Sequence, residues 1–326
     1  MLEQLKRLAK DWFLIGMILC VVLASLAPQI GRAGGLIHAD QLADYGIFII
    51  FFLHGIGLST ESLIKGIARW RLHVLVQAFT FIVFPLLWVG LNFALGRFLP
   101  NDLMLGFFYL AALPSTISSS VAMTSMARGN VPAAIFNATL STLLGIFLTP
   151  LLVSLLVGSQ GGSLSLGEAM LNIARLLMLP FIIGQLLRPL WGKWFARYKK
   201  YTNLIDRGVI LLLVFSTFSD SVTDGLWSKH GFGLIAYTIV GAAIFLFVVL
   251  RLTKWAAQRA GFDAEDEITA VFCGSKKTMA SGVPMAKLLF GTHPALGVIV
   301  LPIMFYHQLQ LFVCSILAQR YAKRAD

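Results

Sequence analysis

Charge is scarce in this chain. Only 13% of its 326 residues are charged and 58% are hydrophobic, whereas a soluble globular domain carries about 25% charge. That shortage excludes an ordinary soluble domain and points to an all-α polytopic membrane protein. Acidic residues are scarcer still, 15 against 26 basic ones. The resulting net charge of +11 is not a nucleic-acid signal. The basic residues are scattered over short loops between apolar runs, and no basic stripe is interleaved with stacking aromatics. Cysteine is rare too. Cys20, Cys273 and Cys314 each lie inside an apolar run, which excludes a disulfide framework or a cysteine metal cluster. HExxH, GxSxG and Walker A patterns are absent, and no loop is long enough for a nucleotide domain. An enzyme and an ATP-driven pump are thereby excluded, and no organic cofactor is expected.

What is abundant is apolar sequence in runs of roughly the 17–25 residues that cross a bilayer. Ten such spans are expected. Span 1 covers about 12–27 and stops at Pro28, after which 28–35 reads as a loop. Spans 2 to 5 cover about 45–58, 73–95, 103–127 and 131–157. A Gly/Ser-rich link, Gly158 to Ser163, follows near the midpoint. Spans 6 to 10 cover about 169–187, 204–218, 232–252, 268–290 and 295–318. Lys6, Arg7 and Lys10 ahead of span 1 look like the start of a signal peptide, but no clear small-residue cleavage site follows, so a retained helix is expected.

Lysine and arginine fix the orientation. Eighteen fall on one side, from Lys6 through Arg128 and Arg251 to Arg324, and three, Arg32, Arg97 and Lys229, on the other. The positive-inside rule then puts both termini in the cytoplasm, with the chain in the inner (plasma) membrane. Five spans precede the central link and five follow it. An odd number per half inverts the second half, so 1–157 and 158–326 read as two inverted five-helix repeats. The fourth span of each half is interrupted, by Pro114 to Ser120 in one and Gly274 to Gly282 in the other. Interrupted segments at corresponding positions point to a transporter binding site.

Both interruptions are polar. In span 4, Ser115, Thr116, Ser118, Ser119 and Ser120 follow Pro114. Their hydroxyls and freed carbonyls suit a cation or a carboxylate, and a half-helix starting near Ser118 would aim its positive end at mid-membrane. In span 9, Lys276 and Lys277 stand between Gly274-Ser275 and Thr278 in an otherwise apolar run. A lysine at the bilayer centre costs ~2.5 kcal/mol or more and is by default a functional-site hypothesis. Glu267, at the cytoplasmic end, lies nine residues back, roughly 13 Å of helix, too far for snorkelling. A break at Gly274 to Lys276 would let an ammonium replace a monovalent cation, attract an anionic substrate, or titrate. On a helix the two lysines would point about 100° apart.

Other intramembrane polar groups suit helix–helix hydrogen bonds better than proton relays: His54 in span 2, Gln77 in span 3, Asn137 in span 5, and His307, Gln308 and Gln310 in span 10. Asp263, Glu265, Asp266 and Glu267 suit the positive end of the helix they precede. Asp206 reads as a solvated or paired helix end, and Asp220 and Asp224 as residues of the external mouth.

Four stretches, in this order and spacing, carry a resemblance: Leu113-Pro114-Ser115-Thr116, Ala127-Arg128-Gly129-Asn130-Val131, Phe272-Cys273-Gly274-Ser275-Lys276-Lys277 and His307-Gln308. They resemble the bile acid/sodium symporter family, in particular its SBF-like branch within the cation/proton antiporter superfamily, over essentially the whole chain. The resemblance implies ten helices in two inverted repeats, with helices 1, 2, 6 and 7 moving as a panel against a core of 3 to 5 and 8 to 10. It implies broken helices 4 and 9 crossing in that core, sodium sites beside the crossing, and alternating-access transport of a small organic anion. Several positions depart from the family's sodium ligands. A Ser-Asn pair falls on Ser120 and Val121. Two hydroxyl ligands fall on Ala134 and Ala138, the bridging glutamate on Phe272, and a glutamine on Lys276. What remains is an altered sodium site at Ser119 and Ser120, with the Lys276 ammonium in place of the second sodium. Coupling is then expected to be sodium-independent, proton-driven, or reduced to the one altered site. A cation/proton exchanger and a non-transporting membrane regulator are the alternatives.

Overall fold

The structure, a computed structural model, describes residues 12–57, 68–159, 174–223, 226–291 and 293–324. Every regular element among them is helical. Lys6, Arg7, Lys10, Lys65, Asp224 and the central link beyond Ser159 lie outside the described residues.

The first helix, α1, spans Trp12–Leu26. Pro28 does not open a loop as expected. It takes the first position of a one-turn helix, α2 (Pro28–Gly31), where its missing N–H is not needed. α3 runs Ala39–Gly57, starting ahead of the apolar stretch and carrying Asp40 and Asp44 within it. Span 3 is α4 (Trp70–Ala78), a π-helical turn (Phe79–Val83) and α5 (Phe84–Leu95). The turn has a sequence cause. Phe84 N–H reaches back to Phe79 O, and the next residue, Pro85, has no N–H to offer the Thr80 carbonyl.

Span 4 is α6 (Asn101–Ala112), a non-helical link at 113–117, and α7 (Ser118–Met126). α8 runs Val131–Ser159, so the expected boundary at 157/158 falls inside a helix. After a second π-helical turn (Ala174–Met178) come α9 (Leu179–Arg197), α10 (Lys199–Thr223) and α11 (Leu226–Arg259). The last two continue past their apolar cores into polar ends. Span 9 is α12 (Ala264–Ser275), a link at 276–281, and α13 (Gly282–Phe290); α14 (Leu296–Ala322) closes the chain. The break expected at Gly274 to Lys276 comes later, because Ser275 stays helical and its Oγ donates back to Val271 O at 2.5 Å. Gly274 serves packing instead: a Cβ there would lie 3.1 Å from Thr253 Cγ2.

Among the described residues, four helices are long and apolar enough to cross a membrane: Trp70–Leu95, Val131–Val157, Gly233–Arg259 and Leu296–Ala322. Ile15–Leu26 and Gln41–Gly57 are shorter apolar helices. The interrupted spans do not qualify as single helices because each is cut into a 12-residue and a 9-residue piece.

Small residues set the packing. α3 and α9 meet backbone to backbone, so that a Cβ on Gly55 would run into the Phe181 carbonyl and one on Gly184 into that of Phe52. Gln185 Nε2 donates to Gly55 O beside them. α10 lies against α1 and α3. Asp206 lies two turns inside α10 rather than at its end, and it is paired, its Oδ2 3.5 Å from His54 Nε2. Asp220, at the far end of α10, accepts from Ala33 N at 2.8 Å. Asp263 caps α12, accepting from Asp266 N at 2.8 Å. The buried centre gathers α6, α12, α13 and α14, with Phe107, Tyr109, Phe272, Ile299 and Tyr306 enclosed.

Candidate ion and substrate site at the helix crossing

The two non-helical links meet inside that centre. Each carries peptide groups without helical partners, which a membrane interior tolerates only when the protein satisfies them. They satisfy each other. Thr278 N donates to Pro114 O at 3.0 Å, and Ser115 Oγ to Cys273 O at 2.6 Å. Ser115 N donates to Ser141 Oγ at 2.9 Å. Two tyrosines complete the set: Tyr109 OH donates to Gly282 O at 2.5 Å and Tyr306 OH to Ser275 O at 2.6 Å.

Lys276 and Lys277 sit in this lattice, both fully buried. They do not diverge by a helical 100°. Lys276 is extended (φ −94°, ψ 149°), and successive side chains on extended backbone leave on opposite sides. Lys277 Nζ donates to Leu113 O at 2.6 Å, Ala111 O at 2.8 Å and Thr80 O at 2.8 Å. An ammonium has three donors, and here all three are used. The Phe84 ring centroid lies 4.0 Å from the same nitrogen. Lys276 Nζ goes the other way, to Ser119 O at 2.7 Å, with the Phe272 ring at 5.6 Å. One carbonyl acceptor leaves it far less saturated than its neighbour. The negative C-terminal end of α6 lies at the Lys277 ammonium, and that of α12 at the lysine pair itself.

The hydroxyls cluster beside Lys276. Thr116 Oγ1 lies 2.6 Å from Ser119 Oγ and 3.0 Å from Ser120 Oγ, and Ser120 Oγ donates to Phe272 O at 3.4 Å. Ser118 begins α7 and is exposed, as is Ile117 before it. The crossing therefore brings together Ser115, Thr116, Ser119, Ser120, Gly274, Ser275, Lys276, Lys277 and Thr278. Asn137 is not among them. Gln77 Nε2 donates to its carbonyl at 3.1 Å, and Asn137 Nδ2 donates to Ala133 O, a tie between α4 and α8. His307 contributes indirectly, its Nδ1 3.0 Å from Gln310 Nε2. Gln308 Nε2 is buried and has no hydrogen-bond partner among the described residues.

The main support of the lysine link is Gln310, which in the sequence is one intramembrane amide among several. Lys277 N donates to Gln310 Oε1 at 2.9 Å and Gln310 Nε2 to Lys277 O at 2.8 Å. Thr80, Tyr109, Ser141 and Tyr306 were not candidates at all. For Thr80 the usable signal is Pro85, which strips its carbonyl of a helical donor.

Among the described residues no group of three or more His, Cys, Asp or Glu could hold a metal ion. The oxygens at Ser119 and Ser120 are hard ligands suited to sodium, but they do not fit a second cation. The Ser119 carbonyl is taken by an ammonium, the Ser119 and Ser120 hydroxyls are both bonded to Thr116, and among the described residues no carboxylate pairs with that ammonium.

Polar groups and unwound backbone held between two broken helices inside an apolar helical assembly are the make-up of a membrane transporter. Residues 11–323 match the SBF-like CPA transporter family, and the chain belongs to that family. It is 47% identical to the protein PA2026 of Pseudomonas aeruginosa over 98% of this chain and 95% of that one. It is 44% identical to "Putative symporter YfeH" of Escherichia coli K12, over 97% and 94%. It is 33% identical to sodium/bile acid cotransporter 7-B of Xenopus laevis, over 96% and 92%. The chain is thus a transporter and not an enzyme.

Proposed function

We propose that the chain moves a small organic anion across the inner membrane by alternating access, and that its own lysines, rather than sodium ions, supply the positive charge at the crossing. The observation that carries this reading is the Lys276 ammonium, which has one carbonyl acceptor at 2.7 Å and lies beside a hydroxyl cluster at the start of α7. α7 aims the positive end of its dipole at the same place, as half-helices do toward anionic substrates. Ser118 leaves that end accessible. The scaffold is ten helices in two inverted repeats, 1–157 and 158–326, with both termini cytoplasmic. Its support is the matched cut of spans 4 and 9, 12 residues and then 9 in each. Helices 1, 2, 6 and 7 form the moving panel, and helices 3 to 5 and 8 to 10 the core. The relatives' names supply a first substrate class, amphipathic carboxylates such as bile acids.

Lys276 has donors to spare and is the group able to exchange a proton or meet a carboxylate; Lys277 has none. Uptake of a bile acid into proteoliposomes, under imposed sodium, proton or voltage gradients, tests the reading. Uptake is expected without sodium, responsive to a proton or voltage gradient, and lost in Lys276→Met. Sodium-stimulated uptake that is strong in wild type and unchanged in Lys276→Ala would overturn it. A change of lumen pH with no organic solute present would favour cation/proton exchange instead, and absence of any flux a regulator.

A further inference from the structure

We infer that the pocket around Lys277 Nζ is a monovalent-cation site which the chain fills with its own side chain. The three carbonyls converge there for reasons that do not involve the lysine. Thr80 O lost its helical donor to Pro85. Ala111 O would receive Ser115 N if α6 continued, but that N–H is spent on Ser141 Oγ. Leu113 lies past the end of α6, in extended backbone (φ −70°, ψ 152°). The cage is therefore built by the backbone of α6 and the π-helical turn, with the Phe84 ring as a fourth face 4.0 Å away. Neutral carbonyls arranged around one point are how proteins replace the hydration shell of a monovalent cation. An aromatic face adds a preference for ammonium-type ions. Divalent ions are disfavoured because the set lacks the carboxylates they take.

Full-length Lys277→Ala protein in detergent tests this, with thermal unfolding as the readout. The variant is expected to unfold below wild type. Ammonium or methylammonium chloride should raise its Tm saturably, by about 1–2 °C for each kcal/mol of binding. Tetramethylammonium at the same ionic strength, having no N–H, should not. Sodium acting as well would support a cation site of broader selectivity. Wild type should not respond, nor should Lys277→Met, whose side chain fills the space. No rise with any cation, an equal rise with tetramethylammonium, or an equal rise in wild type would overturn the inference. If Lys277→Ala is not recovered folded, monodisperse yield from cultures grown with methylammonium replaces Tm. Recovery then supports the site, and no recovery overturns it. None of these readouts depends on transport, so the outcome is independent of the proposed function.

Discussion

Replacing Gln310 with leucine asks whether one side chain holds the lysine link in place. Gln310 is fully buried and bonds the Lys277 peptide in both directions, at 2.9 Å and 2.8 Å. It does for this residue what a neighbouring strand would do for an extended segment. Leucine keeps the bulk and loses both bonds, leaving a buried N–H and a buried C=O with no helical partner. An orphaned buried group costs about 1–3 kcal/mol, so a soluble core would lose about 2–6 kcal/mol. Interhelical hydrogen bonds in membranes measure lower, about 0.6 and at most about 1.7 kcal/mol, because the unfolded chain in lipid also finds partners. The expectation for Gln310→Leu is thus a loss of roughly 2–3 kcal/mol, between those limits. The assay is reversible denaturation in mixed micelles, paired with bile acid uptake. Gln310 Nε2 also faces His307 Nδ1 at 3.0 Å, so His307→Leu should cost less, and the double variant less than the sum of the singles. A Gln310→Leu protein within about 0.5 kcal/mol of wild type, the range of ordinary surface changes, would refute the assigned role.

Two further perturbations probe the surrounding frame. Gly184→Leu should destabilise by at least the ~1–3 kcal/mol of overpacking, because the Phe52 carbonyl blocks even a Cβ; size-exclusion profiles of the purified protein would lose their monodisperse peak. Pro85→Ala restores an N–H that competes with Lys277 for the carbonyls of the π-helical turn. The gain of ~3 kcal/mol expected on removing a proline from a helix interior should therefore be largely absent in a thermal melt, and a full gain would show that the turn owes nothing to Lys277.

The breaks were legible because they are written in side chains. Pro114 followed by hydroxyl residues, and a lysine pair in an apolar run, cannot belong to uninterrupted lipid-facing helices. The crossing of spans 4 and 9 came from family resemblance rather than from periodicity. Two features stayed hidden. The lysines were expected to splay at a helical angle, and their division toward Ser119 on one side and Thr80, Ala111 and Leu113 on the other depends on the backbone being extended. The resemblance sets the Lys276 ammonium in the place of the second sodium and says nothing of the three carbonyls around Lys277 Nζ. A sequence lists side chains, and this cage is made of main-chain oxygens. Thr80 matters through its carbonyl, so its residue type gave no hint. Gln310 was visible as an intramembrane amide, but its partner lies 33 positions away.

The extended geometry of Lys276 and Lys277 makes parity matter in this link. Whichever residue occupies an even or odd place determines which half of the crossing receives the charge. Inserting one residue ahead of Lys276 would turn the pair over and send the ammonium groups to the wrong walls, leaving the carbonyl cage facing the residue meant for the hydroxyl cluster. Such a shift cannot be repaired by any choice of side chain nearby. The length of the link should accordingly matter as much as its composition, and its spacing to Gln310 is as much a part of the site as the lysines themselves.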